Sequence, residues 1–137
     1  MNAQPESAYP KDKQPALRQV MMPSDTNALG TIFGGKILSM IDLAAAVHAH
    51  NYHPGKLVTV AFDQVEFKKP VFVGDLVTLF SSTAKLGNTS ITVAVSVWAQ
   101  RAAERSRTVH VTEAKVTLVA VDELLQPTPI VHRDPEL

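Results

Sequence analysis

Between Met22 and His50 the sequence MPSDTNALGTIFGGKILSMIDLAAAVHAH gathers groups whose types and spacing suit acid–base and electrostatic chemistry. Asp42 is the lone carboxylate of a strongly apolar stretch. Partial desolvation there makes it a candidate base, although a helical Asp more often serves structure alone. Gly34 and Gly35 stand directly before that stretch, and no Ser, Thr, Asp or Asn immediately precedes it. Its first backbone N–H groups therefore lack an evident cap and are free to receive an anion or a carbonyl oxygen. Asn27 ends the run Pro23-Ser24-Asp25-Thr26-Asn27, whose side chains favour turns, so holding a turn is one reading of it. His48, His50 and His53 form an H-x-H-x-x-H pattern at the end of the same stretch. Residues two apart on a helix diverge, so no metal site is expected from them.

These groups need a frame. From Lys36 to His50 there is no Gly or Pro, and apolar residues cover most of a helical circumference. Lys36, Ser39 and His50 form a narrow polar strip, with Asp42 at its edge beside Leu38 and Ala49. A helix this apolar must be buried on more than one side. It should end near Asn51, because His53-Pro54-Gly55 cannot continue it. Beyond it the hydrophobic period becomes two. In Leu57 to Phe67, Val58, Val60 and Phe62 share one face while Val65 and Phe67 share the other, which predicts a bulge or bend near Asp63. Leu76 to Leu86 and Ser90 to Gln100 flank Gly87-Asn88 as a hairpin, and Thr108 to Val121 is a last long strand with a phase slip near Thr112-Glu113. Ala16 to Met22 suits a short strand ahead of the helix. One helix followed by long, bent strands predicts an α+β domain in which a strongly curved antiparallel sheet wraps the helix. Such a sheet covers one side only, so a second copy is expected on the other, giving at least a dimer.

The bounds agree with a compact enzyme or binding domain. The 137 residues suffice for one core, and 13 basic residues balance 13 acidic ones, so no global field favours nucleic acid. The absence of cysteine excludes disulfides, zinc–thiolate sites and thiol nucleophiles. No apolar signal core and no run approaching the ~20 residues of a membrane span occur, which predicts a soluble, cytoplasmic protein with no membrane partner. Residues 1–15, with three prolines, read as a flexible lead-in, residues 16–126 as the domain, and residues 127–137 as an extended C-terminal tail.

The pattern M-P-S-D-T-N-A-L-G-T-I-F-G-G-K-I-L-S-M-I-D, followed by VTVAFDQVEFKKPVFVGDLV and KVTLVAVD, strongly resembles the hot-dog-fold acyl-CoA thioesterases of the YciA and brain acyl-CoA hydrolase type. The likeness runs from about Val20 to Asp122. It implies the same wrapped helix, pairing into dimers and further assembly as trimers of dimers. It also implies a catalytic pair from opposite subunits, an Asn before the helix matching Asn27 and an Asp within it matching Asp42. Thioester hydrolysis needs a base or nucleophile, a positioned water and donors for the oxyanion. Asp42 suits the first, as general base or by direct attack through an anhydride. Asn27, both donor and acceptor, suits the second. Gly35, and less directly Gly34, suits the third.

By the same resemblance the hairpin residues Lys85, Gly87, Asn88, Thr89 and Ser90 would meet the coenzyme A phosphates, although relatives often carry a basic residue where this chain has Asn88. Lys68, Lys69, Arg101, Arg105 and Arg107 are further cations that could serve, and Phe33, Met40 and Phe62 are candidate acyl-pocket residues. No cofactor is expected, coenzyme A being part of substrate and product. Two alternatives stay open: a hydratase or dehydratase on the same scaffold, for which only His110 in the strands offers an imidazole, and a non-catalytic acyl-CoA sensor.

Overall fold

A computed structural model describes residues 9–135; residues 1–8 of the expected lead-in and the last two of the tail lie outside the described residues. The apolar stretch forms one helix, α1 (Gly34–Ala49), closed at its C-terminal end by His50, whose N–H donates to the Ala46 carbonyl. Around it runs a five-stranded antiparallel sheet: β1 (Leu17–Val20), β2 (Lys56–Phe67), β3 (Leu76–Leu86), β4 (Ser90–Gln100) and β5 (Thr108–Val121). The spatial order is β1-β3-β4-β5-β2, which leaves β1 and the long β2 as edges. The bounds of β3 and β4 are those that the alternation about Gly87-Asn88 predicts. Ile91, Val93, Val95 and Val97 of β4 are buried, as are Val116 and Leu118 of β5. Ile37, Met40, Ile41, Ala44 and Ala45 of α1 complete the core they form.

Two ladders carry the irregularities that bend the sheet. Along β2 the register against β5 shifts between Asp63 and Glu66, where Gln64 adopts a φ of 53°, and this is the bend expected near Asp63. A second shift between Thr59 and Ala61 corrects the expectation that Val58, Val60 and Phe62 share a face. Thr59 stands opposite Leu118 and Phe62 opposite Val116, both core residues, so Phe62 is in phase with Thr59 instead of Val58. Between β4 and β5 the register shifts at Val97/Trp98, opposite Thr112 and His110, which makes Val111 the extra residue, one position before the expected slip.

The helix is covered by the sheet on one side. On its other side Leu43 and Val47, one turn apart, are 54% and 47% exposed. The C-terminal segment returns to the sheet: Thr128 donates to the Ala120 carbonyl and Ile130, itself buried, to that of Asn88. At the other terminus Tyr9 packs edge-on against Phe80 and Trp98.

Candidate active site

The start of α1 has the open character its sequence predicts. Phe33 is the N-cap residue, with no side-chain cap and no acidic residue in the first turn. The loop before it is pinned by backbone bonds from Ile32 to the Val71 carbonyl and from Phe33 to that of Asp25. A side chain at Gly35 would collide with the Phe33 ring, whereas one at Gly34 would meet Phe67 only at an ordinary 3.7 Å. Gly35 is therefore needed for the close approach of the Phe33 ring to the helix start.

Asn27 organises the preceding loop. Its Oδ1 accepts the N–H groups of Leu29 at 2.8 Å and Thr31 at 3.2 Å, and its Nδ2 donates to Thr31 Oγ1 at 2.9 Å. One Nδ2 hydrogen is left for another acceptor. Asp42 is half-buried, and its Oδ1 accepts a 2.6 Å hydrogen bond from the Thr59 hydroxyl on β2. Sequence patterning misses Thr59, because strand pairing and helix packing place it there and no local signal marks it. Asp42 lies eight residues beyond Gly34, roughly 12 Å along the axis at ~1.5 Å per residue. Within one chain, the helix-start donors and this carboxylate cannot meet on a single carbonyl group.

The hairpin predicted for phosphate is a tight turn, with Gly87 N–H donating to the Ser90 carbonyl at 2.8 Å. The Asn88 and Thr89 carbonyls accept from Ile130 and Ala120, and Lys85 is exposed. A cation that sequence spacing did not single out arrives from the C-terminal segment: Arg133 donates to the Gly87 carbonyl at 3.0 Å. Of the other candidate cations, Arg101 is committed elsewhere. It pairs with buried Asp75, donates to the Pro70 carbonyl and lies over the Phe72 ring. Arg105 donates to the Gln100 carbonyl and Lys68 pairs with Glu66.

The three histidines at the end of α1 do not converge. His48 is buried and bonded through Nδ1 to Ser81 and through Nε2 to Thr83, whose hydroxyl also meets Tyr52. Burial, then the nearby Lys13 ammonium, lowers the His48 pKa. His50 is exposed and His53 buried. Among the described residues no group of acidic or imidazole side chains has the arrangement of a metal site. His110, the imidazole that a hydratase would need, stacks on Trp98 and has Glu113, not Asp42, as its closest acid, at 3.4 Å. Burial lowers its pKa, with Glu113 opposing.

A family profile described as the thioesterase superfamily matches residues 29–106. The chain is 39% identical over 116 residues to the acyl-CoA thioester hydrolase YciA of Salmonella typhimurium, covering 83% of this chain and 87% of that one. A hexameric hot-dog-fold thioesterase of Campylobacter jejuni superposes with a TM-score of 0.82 at 46% identity, covering 87% and 91% of the two chains. An acyl-CoA hydrolase from Staphylococcus aureus, solved in complex with butyryl coenzyme A and coenzyme A, superposes at 0.77 with 28% identity, covering 88% and 73%. Aspartate-to-alanine and asparagine-to-alanine mutants of that hydrolase share the fold.

Proposed function

The chain belongs to the thioesterase superfamily and is an acyl-CoA thioester hydrolase, and we propose that it cleaves its substrate between two copies of itself. One subunit supplies Asn27 and the Gly35 N–H; Asp42 comes from the partner subunit. The observation that carries this reading is the separation of roughly 12 Å between the start of α1 and Asp42. Two antiparallel helices that cross near the exposed Ser39, one turn before Leu43 on the same face, would set Gly35 of each opposite Asp42 of the other. The exposed edge of β2, with Val60 and Phe62 largely uncovered, adds a second surface for the same partner. Hexameric relatives support a further assembly of such dimers.

In this site the thioester oxygen receives the Gly35 N–H, and Asn27 uses its remaining amide hydrogen to hold the water or the carbonyl. The Asp42 carboxylate either takes a proton from water as hydroxide attacks the carbonyl carbon, or attacks it directly to form an anhydride that water then opens. In both routes the C–S bond breaks, and coenzyme A leaves as the thiol after protonation. Oxygen-18 from labelled water found in Asp42 after one turnover marks the second route. Lys85, Gly87, Asn88, Thr89 and Ser90, with Arg133, are the groups proposed to meet the coenzyme A phosphates.

Subunit mixing tests the shared site. Asn27→Ala and Asp42→Asn proteins are each expected to be nearly inactive in thiol release. Co-refolded, they should regain activity, because a mixed dimer has one site with Asn27 and Asp42 both intact. No recovery in verified mixed oligomers would place both groups in one subunit and contradict the proposal.

A further inference from the structure

A cavity of about 260 Å³ opens beside Gly34, between the start of α1 and the end of β2. Its lining includes Ile37, Val71 and Val111, which are 2%, 4% and 0% exposed and so form its depth. Phe67, 51% exposed, forms a wall near the surface, and Lys68 and Lys69 also border it. The bulge at Val111 and the turn into Lys68, whose N–H donates to the Val111 carbonyl at 2.7 Å, open this space. None of Phe33, Met40 and Phe62, the acyl-pocket candidates of the sequence, lines it.

We propose that this cavity takes the acyl chain of the thioester, methyl end inward, and that Phe67 sets the chain length accepted. The proposal rests on the reading that the thioester carbonyl binds at the Gly34-Gly35 helix start, since that places the first acyl carbon at the cavity opening. The chemistry of the lining selects this half of the substrate. The pantetheine arm carries two amides that need hydrogen-bond partners when buried; the buried side chains of Ile37, Val71 and Val111 offer none, and the polar lining side chains are Thr31, bonded to Asn27, and the exposed Lys68 and Lys69. An alkyl chain needs none and gains from leaving water. The cavity's finite volume sets a limit. Short and medium chains fit, and long ones must leave their ends outside.

The test is a series of straight-chain acyl-CoAs from two to sixteen carbons, read as kcat/KM for thiol release. Wild type is compared with Phe67→Ala and Phe67→Trp, both at a half-exposed position where folding should survive. In wild type, each added methylene should raise kcat/KM up to about fourfold until the cavity fills, and add little beyond that length. Phe67→Ala should move that limit to longer chains by a few carbons and Phe67→Trp to shorter ones. Unchanged length profiles in both variants, with hydrolysis intact, would overturn the assignment. So would a loss that depends on the thiol arm, seen by comparing acyl-CoA with acyl-N-acetylcysteamine, and not on acyl length. Calorimetry with free fatty acids of the same lengths keeps the two readings apart. Length-dependent binding that shifts with Phe67 supports the cavity even if no thiol is released, an outcome that would sink the hydrolase reading alone.

Discussion

The two ends of α1 differ in how fully their bonding capacity is met. At the C-terminal end His50 N–H reaches the Ala46 carbonyl, Asn51 Nδ2 donates to the His48 carbonyl, and both His48 nitrogens have hydroxyl partners. At the N-terminal end there is no side-chain cap and no acidic residue in the first turn, and Lys36 there pairs with Asp25 of the preceding loop at 3.6 Å. Apolar side chains that a monomer would be expected to bury stand exposed around it, Phe33 at 58% and Leu29 at 88%. One end of the helix is finished by its own chain. The other keeps bonding capacity unmet, which in the proposed shared site a ligand and a second subunit would fill.

The strongest way to break this contrast is to deny the open end its partner. Leu43→Glu puts a charge on the exposed helix face, and burying it unpaired in a subunit contact is prohibitive. Light scattering should show a monomer, and thiol release should fall to background if Asp42 acts with the partner's helix start as proposed. A monomer with full activity would refute the shared site. Thr59→Val is a milder change to the same proposed site, at its mid-helix carboxylate. It removes the 2.6 Å hydrogen bond that orients Asp42, and kcat should drop about tenfold with oligomer and Tm nearly unchanged.

The closed end responds to pH. Its folded-state pKa lies below the ordinary His value of 6.5, so the unfolded chain takes up the His48 proton first as pH falls. The stability from neutral, bonded His48 is complete above about pH 6.5 and is lost below it. Tm should therefore fall between pH 7.5 and 5.5, and less steeply in His48→Gln. An identical slope would mean that other groups carry the effect. The smallest effect separates the two glycines. Gly34→Ala fits beside Phe67 and should add roughly 0.5–1 kcal/mol from helix propensity, a Tm gain of a few degrees. Gly35→Ala should show no such gain, since it must displace the Phe33 ring.

The features legible in the sequence are those with a local cause. The helix shows through its unbroken apolar run, β3 and β4 through strict alternation about Gly87-Asn88, the bend near Asp63 through a change of phase, and the uncapped helix start through Gly34-Gly35. What was not legible depends on pairing between distant segments. The extra shift at Val60 is invisible because Val58, Val60 and Phe62 alternate perfectly and only the register against β5 reveals it. Thr59 beside Asp42, Arg133 on the Gly87 carbonyl, and Phe67 with Val71 and Val111 around one cavity come from different elements. Arg101 misled for the complementary reason: as a lone cation in a loop it resembles a phosphate ligand, and only the fold shows Asp75 beneath it.

The most direct test is thiol release from a mid-length acyl-CoA by wild type and by Asp42→Asn, with circular dichroism and light scattering confirming that both are folded and assembled. The chain has no cysteine of its own to react with the thiol reagent. The account predicts turnover by wild type and a loss of at least ~10²-fold in kcat for Asp42→Asn, the scale of a missing general base. An assembled Asp42→Asn protein that releases thiol at the wild-type rate would contradict it.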